Sequence, residues 1–215
     1  MLPRVITVEE VRRSLARRPA VLHSLGGVRQ AAVAMVLTQG KSGAEVLFIE
    51  RARTVGDPWS GHMAFPGGRV DPTDADGRAA AERETLEEVG LSLAGAELLG
   101  RLDDKRGNPR THPELIISAF VYYAPAPGEL SINSEVQDAF WFPLDGLVDR
   151  ARHVQYTAHG EFEFPGILVG EPDRHVVWGL TYSFLESFFA LIGSPLPDRW
   201  TEEMRGYARQ IEQQR

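Results

Sequence analysis

Apolar segments of strand length alternate with polar turns along the first half of the chain. Residues 30–37 (QAAVAMVL) form a continuous apolar run, which is typical of a strand buried on both faces. A turn with two glycines at residues 40–43 separates this run from a second apolar segment at 44–49, so the two are predicted to form a hairpin. Residues 96–104 and 115–123 are predicted as two further strands, separated by a polar loop.

Helical patterns occupy the remaining regular segments. The predicted helices cover residues 8–16, residues 77–89, an apolar segment at 178–193 and a polar C-terminal segment at 197–215. Gly90 follows the second helix and Gly193 ends the third, as glycine commonly does at helix C-termini. Residues 150–172 have no regular pattern and are predicted to be irregular.

The composition limits the class of protein. At 215 residues and 43% hydrophobic content, the chain can form one globular domain with extensions, or at most two small domains. The formal net charge of −7 argues against general nucleic-acid binding, and the absence of cysteine argues against a disulfide scaffold and a thiolate nucleophile. No apolar run approaches the roughly 18 residues that a transmembrane helix needs, and the N-terminus lacks the apolar core of a secretory signal. We therefore expect a cytoplasmic protein that binds neither membranes nor nucleic acids.

Three carboxylates crowd the end of the second predicted helix. Glu84, Glu87 and Glu88 stand at positions i, i+3 and i+4, so they project from one face within a single turn. Like charges at these spacings repel by roughly 0.2–0.5 kcal/mol per pair. Either this face is simply solvated, or the carboxylates bind a hard divalent cation. Arg83 is the one cation close enough along the helix to neutralise them, which increases the weight of the metal hypothesis without excluding the solvated face.

Residues 83–91 (RETLEEVGL), with Gly68 upstream, resemble the signature of the Nudix hydrolases. That signature reads G, five residues, E, seven residues, then R-E-U-x-E-E-x-G-U, where U is a bulky aliphatic residue. Asp74 replaces the first Glu, eight residues instead of seven separate it from the R-E pair, and Thr85 occupies an aliphatic position. The string FPGG at 65–68, followed by x-x-D-P-x-D, is similar to the coenzyme A diphosphatase branch, in which the longer spacing also occurs.

The resemblance implies the Nudix fold. This is an α+β fold in which a mixed β-sheet lies between helices as an α/β/α sandwich, here with helical extensions at both termini. The implied organisation is a single domain over residues 1–215, with an N-terminal helical arm (1–28), a core (29–193) and a C-terminal helix (194–215). Members of the family often form dimers, so a homodimer is an expectation that the residues themselves do not establish.

The resemblance also implies an enzyme that hydrolyses a diphosphate bond with Mg²⁺ or Mn²⁺ as cofactor. In the coenzyme A branch the substrate is coenzyme A or an acyl derivative, and the products are 3′,5′-ADP and a 4′-phosphopantetheine. Arg83 is expected to hold the glutamates by hydrogen bonds, and Asp74 to stabilise the helix dipole. The implied catalytic residues are Arg83, Glu84, Glu87 and Glu88. Glu87 and Glu88 are the implied primary metal ligands, and Glu84 is either a third ligand or the base that orients water. The Gly68 carbonyl is an implied backbone ligand, and Glu135 an additional ligand or base.

An anionic substrate requires cationic side chains near the metal site. The branch has an upstream pattern, roughly LLTxR-[SA]-x3-R-x3-G-x3-FPGG, which Arg51 and Phe65 fit, whereas Gly56 stands at the internal Arg and Arg53 is the expected substitute. The loop at 105–114 (KRGNPRTHPE) is either a phosphate clamp or a solvated loop. The candidate substrate-binding residues are Arg51, Arg53, Phe65, Arg69, Lys105, Arg106 and Arg110.

Two alternative functions remain open on the sequence. The same chemistry could act on ADP-ribose, on another nucleoside diphosphate linked to a group X, or on a nucleoside triphosphate, and the missing internal Arg motivates this alternative. A Nudix-like binding module without catalysis is the second alternative. It would be expected to have lost signature acids, whereas Glu84, Glu87 and Glu88 are all present.

Overall fold

A computed structural model describes residues 5–23, 29–56, 59–107, 114–158, 162–172 and 174–206. The helices are α1 (Val8–Leu15), α2 (Gly77–Val89), α3 (Leu144–Leu147) and α4 (Gly179–Leu191), with a 3₁₀ turn at Arg150–Arg152. The strands are β1 (Arg29–Gln39), β2 (Ala44–Arg51), β3 (Met63–Ala64), β4 (Gly67–Arg69), β5 (Glu97–Arg101), β6 (Lys105–Arg106), β7 (Leu115–Tyr123), β8 (Val136–Pro143), β9 (His153–Ala158), β10 (Phe162–Leu168) and β11 (Val176–Trp178).

The main sheet is mixed. Strands β1 and β7 run parallel and pair through nine residues from Arg29↔Leu115 to Leu37↔Tyr123. The other pairings in this sheet are antiparallel, with β8 beside β2 and with β5 and β6 beside β7. The predicted hairpin of β1 and β2 is confirmed at the turn, where Gln39 pairs with Ala44.

A split between β1 and β2 makes room for the FPGG segment. The two strands pair only near their turn and then separate, and the segment between them pairs on both sides: β3 with β2, and β4 with β1. The carbonyl of Pro66 also accepts a hydrogen bond from Ala34 N at 2.8 Å. The FPGG segment therefore lies within the sheet, between β1 and β2, and not in an outer loop.

Each face of the sheet packs against helices. On one face, Ala32, Ala34 and Val36 of β1 pack in a cluster with Ala80 and Ala81 of α2, and these small side chains allow the helix to approach the sheet closely. The alternate side chains of β1 lie in a second cluster on the opposite face, which includes residues of α1 and α4. This arrangement confirms the α+β fold with a mixed sheet between helices.

Some elements differ from the sequence predictions. The predicted strand at 96–104 ends at Arg101, and residues 150–172, predicted to be irregular, contribute to a three-stranded antiparallel sheet of β9, β10 and β11. Residues 194–201 are not helical, since prolines at 195 and 197 interrupt the backbone hydrogen bonding, and a helical turn follows at 202–206. Within the described ranges, the helices are too short or too polar to cross a membrane.

Candidate active site

The helix α2, which carries the signature glutamates, is fixed by local contacts at both ends and in its interior. The side chain of Asp76 caps the start of α2 by accepting a hydrogen bond from Ala79 N at 2.8 Å. Gly90, in the left-handed conformation with φ of 69°, ends the helix at the predicted position. The buried Thr85 hydroxyl donates to the carbonyl of Ala81 at 2.7 Å. Its polar group is thus satisfied at a position where the family pattern has an aliphatic residue.

Three carboxylates converge beside α2. Oxygen atoms of Glu84, Glu88 and Glu135 all lie within 4.8 Å of one another. Glu135 stands directly before β8, where its backbone carbonyl accepts a hydrogen bond from Ala52 N at 2.8 Å. Glu88 is 1% exposed, whereas Glu135 is exposed to solvent. A cluster of three anions with one open side suits a hard cation such as Mg²⁺ or Mn²⁺, which prefers oxygen ligands and keeps some water.

Burial dominates the electrostatics of Glu88. Its carboxylate accepts a hydrogen bond from Gly67 N at 2.8 Å. Burial raises the pKa of Glu88 to about 7, against the lowering effect of that hydrogen bond; repulsion from Glu84 raises this pKa further, and attraction from Arg51 lowers it. Burial also raises the pKa of Glu84, in opposition to its hydrogen bond with Arg83. Without a cation, the cluster therefore disfavours its fully ionised form.

Arg83 connects the signature residues to one another. Its Nε and one terminal nitrogen donate to the two oxygens of Asp74, each at 3.0 Å, and this pairing raises the pKa of Arg83 and lowers that of Asp74. Its other terminal nitrogen donates at 3.0 Å to both Glu84 and Glu87. Asp74 thus acts on the arginine and not on the helix start. Glu87, with its side chain 53% exposed, lies outside the converging trio and binds Arg83 instead.

The two glycines of FPGG meet different obstacles. A Cβ added at Gly68 would lie 2.4 Å from Glu84 Oε1. Gly67 has φ of +150°, and a Cβ there would lie 2.3 Å from the carbonyl oxygen of Ala32. Gly68 therefore leaves room for the Glu84 side chain, while Gly67 is required by the backbone itself.

The upstream candidates lie at different distances from the carboxylates. Arg51, at the end of β2, is half-buried and close enough to Glu88 to lower its pKa. Arg53 is exposed in the loop that follows. Phe65 is 2% exposed and stacks on Phe48 in the core, with ring centroids 5.6 Å apart, so its side chain packs within the fold.

Among the described basic candidates, Lys105 lies on the face of the sheet opposite α2. Lys105 pairs with Ile117, whose side chain belongs to the opposite face of the sheet, and its Nζ donates to Ser187 Oγ of α4 at 2.8 Å. Burial lowers the pKa of Lys105. Arg106 is half-buried beside Ile116, and Arg69 is exposed with its carbonyl accepting from Arg83. The Arg110 candidate lies outside the described residues.

A second group of convergent side chains escaped the sequence predictions. Ligand-type atoms of Glu50, Asp138 and His175 also lie within 4.8 Å of one another. Glu50 and His175 are 0% and 4% exposed. The one sequence signal is a glutamate directly after the apolar run at 44–49, at the end of β2, whereas the contribution of residues 138 and 175 depends on tertiary packing.

Comparison with known proteins identifies the family. The NUDIX domain model matches residues 28–162, more than half of the 215-residue chain. The chain belongs to the Nudix family. Together with the relatives described next, this match confirms the resemblance found in the sequence and makes the protein an enzyme, a Nudix hydrolase.

Relatives of this Nudix hydrolase differ in how much of it they match. The human mitochondrial coenzyme A diphosphatase NUDT8 is 32% identical over 203 residues, which cover 89% of this chain and 80% of the human protein. The uncharacterized protein C14C4.10c of Schizosaccharomyces pombe is 43% identical over 108 residues, which cover 48% of this chain and only 33% of the yeast protein. The uncharacterized Nudix hydrolase NudL of Salmonella heidelberg is 29% identical over 184 residues, covering 82% of this chain and 89% of NudL.

Solved structures support the fold at low sequence identity. A MutT/nudix family protein from Enterococcus faecalis aligns with a TM-score of 0.53 at 17% identity, covering 87% of this chain and 75% of its own. A NUDIX hydrolase from Alicyclobacillus acidocaldarius aligns with a TM-score of 0.55 at 20% identity, covering 79% of this chain and 93% of its own.

Proposed function

We propose that this Nudix hydrolase cleaves the diphosphate bond of coenzyme A or an acyl-CoA, giving 3′,5′-ADP and a 4′-phosphopantetheine. The observation that carries the hydrolytic part is the convergence of Glu84, Glu88 and Glu135 within 4.8 Å beside the signature helix. The substrate part rests on the FPGG string with its longer spacing and on the similarity to NUDT8, whose name describes a coenzyme A diphosphatase.

We assign the cofactor, Mg²⁺ or Mn²⁺, to the same three carboxylates. Burial that raises the pKa of Glu88 to about 7, and the glycine that leaves room for Glu84, are both features of a site prepared for a cation. The Gly68 carbonyl remains a candidate backbone ligand. Glu87 is assigned to the outer part of the site, because its carboxylate is engaged by Arg83.

Chemistry at this site divides between the cation and the protein. When bound, a divalent cation neutralises phosphate charge and lowers the pKa of a water molecule that attacks phosphorus. Arg83 and the Gly67 N–H hold Glu84 and Glu88 in fixed orientations. Arg51, on the same side of the sheet as Glu88, supplies positive charge for a phosphate, and the exposed Arg53 extends that charge outward.

A second candidate keeps the chemistry and changes the substrate to ADP-ribose, another nucleoside diphosphate derivative or a nucleoside triphosphate. Gly56 favours it, because the upstream pattern of the coenzyme A branch has an arginine at that position. A binding module without catalysis is disfavoured because the full set of signature carboxylates is present and three carboxylates converge.

Product analysis separates these functions. The protein is incubated with Mg²⁺ or Mn²⁺ and, in separate reactions, with coenzyme A, ADP-ribose or dGTP. We expect 3′,5′-ADP from coenzyme A at a higher kcat/KM than for the other two substrates. Faster cleavage of ADP-ribose or dGTP would retain the hydrolase and reject the coenzyme A assignment, while no cleavage of any of the three would contradict the proposal as a whole.

A further inference from the structure

An ionic cluster with a buried centre lies beside the end of β2, and we call Glu50, Asp138, Arg174 and His175 the Glu50 cluster. Glu50 follows Phe48 on the face of β2 that packs into the core, and it is 0% exposed. Burying a carboxylate is costly unless charged and hydrogen-bonding groups compensate it. Arg174 provides that compensation: its Nε lies 2.9 Å and one terminal nitrogen 2.7 Å from Glu50 Oε2.

The Glu50 cluster has the composition of a metal site but not the proton arrangement of one. The backbone N–H of Glu171 donates to His175 Nδ1 at 3.0 Å, so in the neutral ring the proton sits on Nε2. This Nε2 lies 3.5 Å from Glu50 Oε2 and 3.6 Å from Asp138 Oδ2, so its proton occupies the side of the ring that a metal ion between the three groups would need. The Arg174 guanidinium already occupies the space beside both carboxylates. The cluster is therefore an ion-pair network that carries its own cation.

The position of the Glu50 cluster relates it to the carboxylate trio. Glu50 pairs with Asp138, and the pairing of β2 with β8 then shifts by one residue, so that Arg51 pairs with Val136. Immediately beyond this shift, Ala52 N donates to the carbonyl of Glu135 at 2.8 Å. Such irregularities in strand pairing re-aim the side chains that follow them. The cluster thus holds Glu50 and Asp138, the last pair of β2 and β8 before the shift. Beyond the shift lie Arg51 and Glu135, next to Glu84 and Glu88.

We propose that Glu50 is a positioning residue for the active site. Through Arg174 and His175 it fixes the ends of β2 and β8, and thereby the direction of Arg51 and the placement of Glu135. This inference rests on the proposed function, in which Arg51 contacts substrate phosphate and Glu135 belongs to the cation site. It predicts that loss of the cluster weakens the binding of substrate and cation and leaves the chemical step largely intact.

The test is the kinetic behaviour of Glu50→Gln, which keeps the shape of the side chain and removes its charge. We expect KM for coenzyme A and the Mn²⁺ concentration for half-maximal activity each to rise about tenfold. A tenfold change is the effect of losing one well-aligned hydrogen bond to a charged group. The value of kcat should change by less than about twofold. Arg174→Gln, altered at a partly exposed position, should act in the same direction and covers the case in which Glu50→Gln does not fold. A merely structural role would lower the active fraction, and hence apparent kcat, without changing KM.

Two comparisons make this test specific. Glu186→Gln is the matched control, because Glu186 is a half-buried carboxylate on α4 that accepts a hydrogen bond from Trp200 Nε1 at 2.8 Å and does not belong to the Glu50 cluster. It should leave KM unchanged. In the double variant of Glu50→Gln with Arg51→Lys, the increase in KM should be no larger than with Arg51→Lys alone. An unchanged KM in folded Glu50→Gln, or fully additive effects in the double variant, would overturn the inference.

A readout independent of activity separates this inference from the proposed function. The Nε–Hε signal of Arg51 in a ¹⁵N-correlated spectrum, identified by its loss in Arg51→Lys, should shift in Glu50→Gln and stay in place in Glu186→Gln. If the wild type cleaves none of the offered diphosphates, the proposed function fails, and the Arg51 signal still decides whether the Glu50 cluster positions that side chain. An unshifted signal would overturn the positioning role whatever the substrate.

Discussion

Replacing the buried Glu88 with glutamine should make the metal-free protein more stable at alkaline pH. The carboxyl of Glu88 is 1% exposed and lies within 4.8 Å of two other carboxylates. Glutamine has the same shape, can still accept the hydrogen bond from Gly67 N, and has an amide that can donate to a neighbouring carboxylate. The substitution therefore removes an unfavourable charge and leaves the packing unchanged.

The magnitude follows from the pKa of Glu88, which burial raises to about 7 from an ordinary 4.5. Between these two values the folded protein binds more protons than the unfolded chain, so the free energy of unfolding falls as the pH rises. At pH 8 the full penalty, about 3 kcal/mol, is present, and Glu88→Gln removes it. At pH 5 most of the carboxyl is protonated in the folded protein, and the expected gain is below about 1 kcal/mol.

Urea denaturation in EDTA at pH 5 and pH 8 measures both values. At pH 8 the variant should unfold at a higher urea concentration than the wild type. In thermal denaturation at the same pH, its melting temperature should be higher by roughly 6–12 °C. Added Mn²⁺ should stabilise the wild type and not the variant, because a cation that binds the folded state adds to its stability. A variant less stable than the wild type at pH 8, or an equal gain in the free energy of unfolding at both pH values, would contradict the raised pKa of the buried Glu88.

Three further substitutions test the local geometry. Gly68→Ala should retain the fold but lose Mn²⁺ binding, because its Cβ would lie 2.4 Å from Glu84 Oε1, whereas Gly95→Ala, with open space around it, should bind Mn²⁺ normally in calorimetry. Gly67→Ala should lower the melting temperature strongly, because its Cβ would meet backbone at 2.3 Å and its φ is +150°; unchanged thermal denaturation would contradict this. Thr85→Val should lower the free energy of unfolding by no more than about 1.5 kcal/mol, because one hydrogen bond from the Thr85 hydroxyl to the Ala81 carbonyl is lost; a larger loss in urea denaturation would contradict this.

Local sequence rules were sufficient for the signature helix. Its bounds, the glycine at its end and the projection of Glu84 and Glu88 from one face follow from helical periodicity and from the conformational freedom of Gly90. The mixed sheet followed from the family resemblance. The three-stranded sheet of β9–β11 could not be predicted, because the pattern of residues 150–172 is not periodic and its pairing depends on contacts with distant parts of the chain.

The membership of the site was less predictable than its existence. Along the helix, Glu87 is equivalent to Glu88, but in three dimensions its carboxylate binds Arg83, while Glu135 from the start of β8 completes the trio. Lys105 belongs to a basic stretch in the sequence, yet its register against Ile117 directs it to the opposite face of the sheet. The placement of Glu135 and the direction of Lys105 depend on pairing between strands far apart in the chain, which no local pattern encodes. The contact of Glu87 with Arg83, by contrast, is an i,i+4 pair on the helix.

The most direct test of the proposed function is the rate at which 3′,5′-ADP forms from coenzyme A at pH 8 with Mn²⁺, for the wild type and for Glu88→Gln. We predict steady formation by the wild type, loss of that activity in excess EDTA, and a rate lower by more than about a hundredfold in the variant, because a residue of the cation site has been removed. Equal turnover by the folded variant, or full activity in EDTA, would contradict a cation-dependent hydrolase centred on Glu84, Glu88 and Glu135.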